Sequence, residues 1–584
     1  MQVQNADLKA DQKAELSVSI GQHSSAGLKQ QNQDFHGSVA STGQTLVLKG
    51  TALALADGIS SSDVSHIAAE TAVKSFLTDF YCTSDAWSVK MAGTRVVSAC
   101  NSWLHGQKKP GASDDRGHVC TFDALVFKGR LAHLFHVGDA RIWRLSGETL
   151  EQLTTDHRVQ LSASENYLGR ALGLSNTLDI DYREIGLSSG DIFILTTDGV
   201  HEFVSPKEIA SHIASAADLD AAARTIVAAA LEKGSDDNLT IQIARIDHLP
   251  GREAISILDG ADMLPPAPLL HIPSEFEGYQ ILRELHASHR SHIYLAYDAE
   301  TDRNVALKVP SADLRGSADY LRRFAMEEWV ARRLNSPHVL KAGQSSREPE
   351  KLYVVTEFVE GRTLRQWMND TPQPDLETVR GILEQVVKGL RAFHRHGMLH
   401  QDLRPENIMI CNDGVVKIID FGSVLIEGVL EAVPGLDDTE ILGTHQYAAP
   451  EYFLGYRGTE LSDFFSLGVI AYEMLTGKLP YGDKVSRANT QKAQSALTYI
   501  SAASLTQRVP DWVDGALARL VHIEPVKRYE ALSEFLEDIR RPNAALRPDV
   551  KASFAERDPI RFWQVVSLSL AILVIVLLYQ RMPA

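Results

Sequence analysis

The stretch "GTALALADGIS", residues 50–60, is an apolar run that ends in Asp57 and Gly58. Three further stretches also place an aspartate at the end of an apolar strand, within two residues of Gly or Asn. They are "NQDF" (32–35), "TTDGV" (196–200) and "SDDNLT" (235–240). A single Asp-Gly pair is typical of a turn. Four such stretches in one half of the chain predict a shared site.

Aspartates at strand ends can converge on one ligand, and glycine lets the backbone approach it closely. Since no His or Cys accompanies these aspartates, they favour hard ions such as Mg²⁺ or Mn²⁺. Over 16–247, apolar strands alternate with polar turns, and Ala-rich helical stretches lie at 63–80 and 217–232. This pattern predicts an α+β fold built from antiparallel sheets.

The four motifs, with "HVGDARIW" (136–143) and "LTTDH" (153–157), resemble the metal-dependent Ser/Thr protein phosphatases of the 2C type. The resemblance covers 16–247. It implies an α/β sandwich of antiparallel sheets flanked by helices, with two Mg²⁺ or Mn²⁺ ions and a third, weaker ion. It also implies that a metal-activated water attacks phosphoserine or phosphothreonine.

The same resemblance assigns the residues of the metal site. Six residues would form it: Asp57, Asp198 and Asp237 with the backbone carbonyl of Gly58 for the metal pair, Asp34 through a bound water, and Asp139 with Asp198 for the third ion.

Two positions depart from the family pattern. Lys29 stands where an arginine often grips the phosphate, and a lysine offers a point charge without the bidentate fork. Ile59 stands where some members have a histidine that serves as general acid, so the proton donor stays open.

The bulk composition limits the other possibilities. The 584 residues are too many for one core. The formal charge of −17 excludes general nucleic-acid binding. Four scattered cysteines indicate a reducing compartment rather than a disulfide framework. The polar start, 1–15, predicts a disordered N-terminus, and the prolines of 248–277 predict a linker.

Residues 278–540 contain a second ordered set of motifs, among them "VALKV" (305–309), "HQDLRPENIMI" (400–410), "IDFGS" (419–423) and "GTHQYAAPE" (443–451). Their order resembles the Ser/Thr protein kinases, which implies a bilobal fold that binds ATP with Mg²⁺. Arg528 would pair with Glu451 in the helical lobe.

The kinase resemblance also assigns roles to individual residues. They are Lys308 for the ATP phosphates, Glu327 as the partner of that lysine, Asp402 as the base, Arg404 beside the γ-phosphate, Asn407 and Asp420 for Mg²⁺, and Glu357 at the nucleotide-binding hinge.

The hairpin at 284–298, "ELHASHRSHIYLAYD", departs from the kinase pattern. His286, Ser288 and Ser291 stand where glycines normally let backbone amides approach the phosphates. We expect a competent but slow kinase. The alternatives are an active phosphatase regulated by a nucleotide-binding pseudokinase, and a scaffold in which neither site turns over.

The end of the chain predicts a membrane anchor. Residues 562–580 carry no charge and lie between Arg561 and Arg581, which predicts a single transmembrane helix after a basic juxtamembrane piece, 541–561. The distribution of basic residues places the large N-terminal part in the cytoplasm. The sequence therefore predicts a tail-anchored phosphatase and kinase of the cytoplasmic membrane, and the resemblance to the two fused families implies a bacterial one. It would act on Ser/Thr protein and phosphoprotein substrates.

Overall fold

The structure is a computed structural model. It describes residues 15–107, 117–147, 149–160, 166–250, 264–344, 347–432 and 446–546, with the single residues Gln564 and Ser567. Apart from Gln564 and Ser567, the predicted transmembrane helix, 562–580, lies outside the described residues, as does most of the predicted juxtamembrane piece, 541–561. Among the helices that the structure describes, none combines the length and apolar character that crossing a membrane needs.

The described residues of the N-terminal half include twelve strands, ten of which form two five-stranded antiparallel sheets. One sheet has the order β1-β12-β11-β6-β7 and the other β10-β5-β4-β3-β2, while β8 and β9 form a separate hairpin. The strands are β1 Ser17–Ser25, β2 Asp34–Val39, β3 Thr51–Asp57, β4 Phe122–Lys128, β5 Leu131–Val137, β6 Arg141–Ser146, β7 Thr149–Gln152, β8 Arg158–Gln160, β9 Asn166–Leu168, β10 Asp181–Gly186, β11 Ile192–Thr196 and β12 Leu239–His248.

Helices flank the two sheets. They are α1 Gly43–Lys49, α2 Ser65–Cys82, α3 Val89–Gly106, α4 Asp198–His201, α5 Pro206–Ser215 and α6 Leu219–Glu232. Apolar residues of both sheets, such as Leu55 and Phe193, form one core between them. Two further cores lie between each sheet and its helices. This arrangement of helices, two sheets and helices is the predicted α/β sandwich.

A third five-stranded sheet begins the C-terminal half, with the order β13-β14-β15-β16-β17. Its strands are β13 Ser274–Phe276, β14 Tyr279–Ala287, β15 Ser291–Asp298, β16 Arg303–Pro310 and β17 Val354–Glu357. Helix α7, Ala318–Arg333, packs beside β17.

Part of the stretch predicted as a linker belongs to this lobe. Ala267 is fully buried in its core, and its amide donates to the carbonyl of Leu352 at 3.1 Å. Strand β13 also lies within the predicted linker. The prolines of this segment therefore do not keep it apart from the sheet. Backbone bonds and one buried alanine attach it there.

The last lobe is mostly helical. Its helices are α8 Leu364–Asp370, α9 Leu376–Arg395, α10 Glu427–Ala432, α11 Glu460–Thr476, α12 Gln491–Ser495, α13 Ala502–Leu505, α14 Asp511–Leu520 and α15 Leu532–Arg540. Its short strands are β18 Gly361–Thr363, β19 Met398–Leu399, β20 Ile408–Cys411, β21 Val416–Ile418 and β22 Leu425–Ile426. The small sheet and this helical lobe form the predicted bilobal architecture.

Candidate functional sites

The first site begins where two neighbouring strands carry opposed aspartates. The antiparallel register of β2 and β3 places Asp34 directly opposite Asp57. One oxygen of Asp34, Oδ2, accepts hydrogen bonds from Thr240 Oγ1 at 2.7 Å and Thr197 Oγ1 at 3.1 Å. Its other oxygen, Oδ1, is buried without a hydrogen-bond donor among the described residues. That orphaned oxygen fits a cation.

The remaining predicted aspartates lie at the same end of the sandwich. Asp139 lies two residues after the end of β5, Asp198 begins α4 two residues after the end of β11, and Asp237 lies two residues before the start of β12. Because β11 pairs with β12, the residues at these two strand ends come together. The structure therefore gathers all five carboxylates at one end of the two sheets.

Burial and mutual repulsion raise the pKa of three of these carboxyls. Burial raises the pKa of Asp34 to about 6, and burial with repulsion from Asp139 raises that of Asp198 to about 7. Burial and the neighbouring Asp34 raise the pKa of Asp57 well above its ordinary value. Carboxyls in this state are stabilised in their ionised form by a nearby positive charge.

Two basic side chains provide positive charge in the structure. Lys29 Nζ bonds to Asp237 Oδ1 and donates to Ser60 Oγ at 2.8 Å. Arg158 contacts Asp139 Oδ2 at 2.8 Å and Asp198 Oδ2 at 3.4 Å. Lys29 thus lies at the predicted site. Arg158, which the sequence did not single out, bridges the two aspartates predicted to frame a third ion.

Gly58 is required by the packing around it. A Cβ at this position would lie 2.8 Å from the carbonyl oxygen of Ser65 and 2.9 Å from that of Gln33. The amide of Gly58 donates to the same Gln33 carbonyl at 3.1 Å. The absence of a side chain therefore lets the backbone at Gly58 lie against Gln33, the residue before Asp34.

The set of oxygens fits a hard divalent ion, although the side chains are spaced widely. A closer group of potential metal ligands among the described residues lies elsewhere. It consists of His133, Glu184 and Glu431, whose ligand atoms all lie within 4.8 Å of one another. The aspartates share one end of the sheets, with Lys29 and Arg158 among them. Asp57, Asp198, Asp237 and the Gly58 carbonyl are the groups that would hold Mg²⁺ or Mn²⁺ there.

Asn238 is a further residue that the sequence analysis missed. Its Oδ1 accepts from the amide of Gln33 at 2.8 Å, and its Nδ2 donates to the carbonyls of Ala26 and Gln31 at 3.0 and 3.1 Å. It therefore fixes the loop before β2 against the loop that carries Asp237. Its position directly after Asp237 in "SDDNLT" was the feature of the sequence that could have identified it.

The second site is built around a buried lysine. Lys308 Nζ, on β16, bonds to Glu327 of α7 at 2.7 and 2.8 Å and to Asp420 Oδ1 at 3.3 Å. Burial lowers the pKa of this ammonium, but the Asp420 and Glu327 carboxylates outweigh that effect and raise it above its ordinary value. Lys308 is therefore charged at neutral pH, and the predicted Lys308–Glu327 pair is confirmed.

The loop before β20 carries the predicted base. Asn407 Nδ2 donates to the carbonyl oxygen of Asp402 at 2.8 Å and to its Oδ2 at 3.3 Å. Arg404 Nε lies 3.9 Å from Asp402 Oδ2. Asp402, Arg404 and Asn407 are thus neighbours.

A buried carboxylate that the sequence analysis missed holds this loop from below. Asp463 of α11 accepts from the amides of His400 and Gln401 at 3.0 Å and from His394 Nε2 at 2.8 Å. Gln401 has a φ of +62°, a strained conformation for a residue other than glycine. The two backbone bonds to Asp463 hold the chain in that conformation, directly before Asp402.

The glycine-free hairpin turns by means of a hydroxyl. Ser288 Oγ accepts from the amides of Ser291 and Arg290 at 3.1 and 3.3 Å. His292 bonds to Glu284 at 2.7 Å, and the three hairpin histidines do not form a metal-ligand group among the described residues. Hydrogen bonds between a side chain and the backbone stabilise this turn, so it forms without the conformational freedom of glycine.

Two other predicted positions have clear contacts. Glu357 at the end of β17 accepts from Lys417 Nζ at 2.6 Å and from the amide of Lys341 at 2.9 Å, so its carboxylate is held by protein groups. Arg528 forms a buried double hydrogen bond with Glu451 at 2.7 and 2.8 Å, which confirms the predicted pair.

The chain matches two protein families in separate segments. Residues 22–233 match the family described as Protein phosphatase 2C, and residues 279–552 match the family described as Protein kinase domain. The chain thus joins a protein phosphatase 2C domain to a protein kinase domain.

Among curated proteins, the chain is similar to serine/threonine-protein kinase PrkC of Bacillus subtilis, with 30% identity over 48% of this chain and 43% of the relative. It is also similar to serine/threonine-protein kinase PknL of Mycobacterium bovis, with 33% identity over 43% of this chain and 62% of the relative. The chain thus spans less than two thirds of either relative. A solved structure of the Mycobacterium tuberculosis serine/threonine phosphatase PstP/Ppp aligns with 22% identity and a TM-score of 0.34, over 40% of this chain and 99% of that one.

Divalent ions are expected to stabilise the chain more strongly at about pH 8 than at about pH 5. Without metal, the folded-state pKa values of Asp34 and Asp198, about 6 and about 7, lie above the ordinary value of 3.8. Their contribution to stability is therefore fully present below about pH 4 and is lost as the pH rises through these values. Mn²⁺ that pairs with the ionised carboxylates offsets this loss. Thermal unfolding with and without Mn²⁺ at both pH values measures the difference.

A matched pair of variants tests which carboxylates are responsible. Asp198→Asn should raise the Tm of the metal-free chain at about pH 8 and shrink the shift that Mn²⁺ causes. Asp236→Asn, an exposed neighbour of Asp237, should change neither. An unchanged Mn²⁺ shift in Asp198→Asn would contradict the assignment of Asp198 to the metal site.

Proposed function

We propose that this chain is a bifunctional enzyme that removes phosphate from phosphoserine and phosphothreonine in proteins and transfers the γ-phosphoryl group of ATP to protein serine or threonine. The observation that carries the proposal is the presence of two separate carboxylate sites, each on the domain that its motifs predict. Lys308 lies between Glu327 and Asp420 in one, and opposed aspartates end paired strands in the other.

In the phosphatase domain, Mg²⁺ or Mn²⁺, when bound, supplies a water nucleophile at neutral pH and neutralises phosphoryl charge. Asp57, Asp198 and Asp237 would hold the ions, and hydrogen bonds from Thr197 and Thr240 fix the orientation of Asp34. The Lys29 ammonium adds positive charge that attracts the substrate phosphoryl group.

Arg158 has a different part in this domain. It bonds to Asp139 at 2.8 Å and to Glu202 at 2.7 Å, so it neutralises the side of the cluster away from Lys29. The Arg158 guanidinium at this position lowers the repulsion among the carboxylates when no metal ion is bound.

In the kinase domain, each retained group has a place in phosphoryl transfer. Lys308 binds the ATP phosphates, and Glu327 holds that lysine in position. Asp402 takes the proton of the substrate hydroxyl, while Asn407 and Asp420 are the ligands for Mg²⁺. Because transfer depends mainly on positioning and charge neutralisation, a hairpin that lacks glycine slows the reaction rather than abolishing it.

Loss of a phosphatase aspartate should have opposite effects on the two activities. Asp57→Asn is expected to lower Mn²⁺-dependent hydrolysis of an aryl phosphate at least about 100-fold. The same variant should accumulate more label from radioactive ATP, because the chain no longer removes its own phosphate. Asp63→Asn, exposed and nearby, is the control and should behave as the unchanged chain. Equal labelling of Asp57→Asn and the unchanged chain would reject the reversal of self-phosphorylation.

Replacement of the kinase base separates an active kinase from the pseudokinase alternative. Asp402→Asn should reduce phosphoryl transfer to a generic protein substrate by about 100-fold or more and leave aryl phosphate hydrolysis intact. Asp413→Asn, on an exposed turn, serves as the matched control. A wild-type chain that binds ATP but labels no substrate would favour the pseudokinase reading.

We also propose that the chain is anchored in a bacterial cytoplasmic membrane with both domains in the cytoplasm. The support is the uncharged stretch 562–580, which has Arg561 before it and Arg581 after it. The full chain should sediment with membranes and resist alkaline carbonate, whereas a chain that ends at 546 should be released. Release of both forms alike would count against the anchor.

A further inference from the structure

The two domains meet at a surface far from the phosphatase aspartates. On the phosphatase side it includes the loop 83–88 between α2 and α3, Val89 at the start of α3, and Lys128 at the end of β4. We call this set the docking surface. On the kinase side it meets α10, the short helix that follows Asp420 after β22, and the ends of α7 and α9.

A buried ion pair lies at the centre of the docking surface. The Lys128 side chain has no exposed surface, and its Nζ donates to the carbonyl of Gly428 at 2.6 Å and to Glu431 Oε2 at 3.1 Å. Glu431 also accepts the amide of Val89, the first residue of α3, at 2.9 and 3.0 Å. One carboxylate of the kinase thus satisfies a free amide at the start of a phosphatase helix.

The backbone of α10 lies directly against the loop. The amide of Gly428 donates to the carbonyl of Ala86 at 3.1 Å. A Cβ on Gly428 would lie 2.5 Å from the carbonyl oxygen of Trp87 and 2.7 Å from that of Asp85. Ala86 is fully buried and belongs to the hydrophobic core of the helical lobe. The contact is therefore as close as packing inside a single domain.

The docking surface also bridges the two lobes of the kinase. Asp85 forms an ion pair with Arg333, the last residue of α7, at 3.5 Å. Trp87 Nε1 donates to the carbonyl of Arg395, the last residue of α9, at 2.8 Å. Helix α7 carries Glu327, the partner of Lys308. The same loop therefore contacts the helix that positions the lysine and the segment that follows Asp420.

We propose that the phosphatase domain is a structural activator of the kinase domain: the docking surface holds α7 and α10 where Lys308, Glu327 and Asp420 are assembled. This inference rests on the proposed kinase activity. The support is that one structure contains both the contact between the domains and the assembled Lys308–Glu327 and Lys308–Asp420 pairs. The pairing of β22 with β19 continues the same ordered stretch from Asp420 to α10.

The phosphatase site is insulated from this contact by the length of a strand. Thr51 and Asp57 are the two ends of β3, and Thr51 pairs with Phe127 beside Lys128. At about 3.4 Å per residue, the two ends of β3 are roughly 20 Å apart. A change at Lys128 therefore leaves the aspartates in place.

Lys128→Met in the full chain tests the proposal. It keeps an apolar stem but removes the charge that Glu431 needs, so α10 loses its central contact. Phosphoryl transfer to a generic protein substrate should fall roughly five- to tenfold. Aryl phosphate hydrolysis with Mn²⁺ should stay unchanged, which also shows that the domain is folded. Lys74→Met, on the exposed face of α2, is the matched control and should change neither activity.

A second, milder change keeps the test independent of folding at Lys128. Trp87→Phe removes the hydrogen bond to Arg395 and should lower kinase activity in the same direction. Hydrogen exchange at the amide of Gly428 should be faster in both variants than in the unchanged chain.

Unchanged or increased kinase activity, together with faster exchange at Gly428, would overturn the activating role. Unchanged hydrogen exchange at the Gly428 amide in both variants would overturn the proposed docking itself. If the wild-type chain protects the Gly428 amide from exchange but transfers no phosphate, the proposed kinase activity is rejected. The activating role of the contact is then rejected as well.

Discussion

Repulsion between carboxylates held at the ends of paired strands is the constraint on which the N-terminal domain depends. The register of β2 and β3 fixes Asp34 opposite Asp57, and β11 and β12 bring Asp198 and Asp237 to the same end. Hydrogen-bonded strands cannot separate these groups without loss of the sheet. Positive charge has to meet them, and in the structure Lys29 and Arg158 supply part of it. A site that requires cations in this way is also suited to divalent ions.

The kinase domain shows the inverse arrangement, in which one buried cation is surrounded by carboxylates. Lys308 satisfies Glu327 and Asp420 together, so the position of α7 depends on the position of the segment after β21. Lys128 repeats the pattern between the domains, with Glu431 as its partner. Breaking a buried pair by removal of one member is costly, because the other charge stays buried. Such pairs therefore specify which elements lie side by side.

Motifs and spacing predicted the two folds and pointed to candidate residues for each site, because strand ends, Asp-Gly turns and paired charges leave local signals. Lys308 with Glu327 and Arg528 with Glu451 could be paired in advance on this basis. Arg158 could not, because only the path of the β8–β9 hairpin decides that its side chain reaches Asp139. Lys128 resembles an ordinary surface lysine before a turn, and nothing local shows that the other domain covers it. The turn made by Ser288 was missed because a hydroxyl can replace glycine only in a particular geometry.

The position of the docking surface separates the fold of the phosphatase domain from its chemistry. The aspartates lie at one end of β3 and β4, and Lys128 lies at the other end of the same sheet. The kinase contacts the sheet, its helices and the loop 83–88, and among the described residues none of these contacts involves an aspartate of the metal site. Loss of phosphatase activity and loss of the whole phosphatase domain therefore have different consequences for the kinase domain. In the first, α7 and α10 keep their support, whereas in the second both lose it. Opposed activities on one chain can in this way share a scaffold without either active site contributing residues to the other.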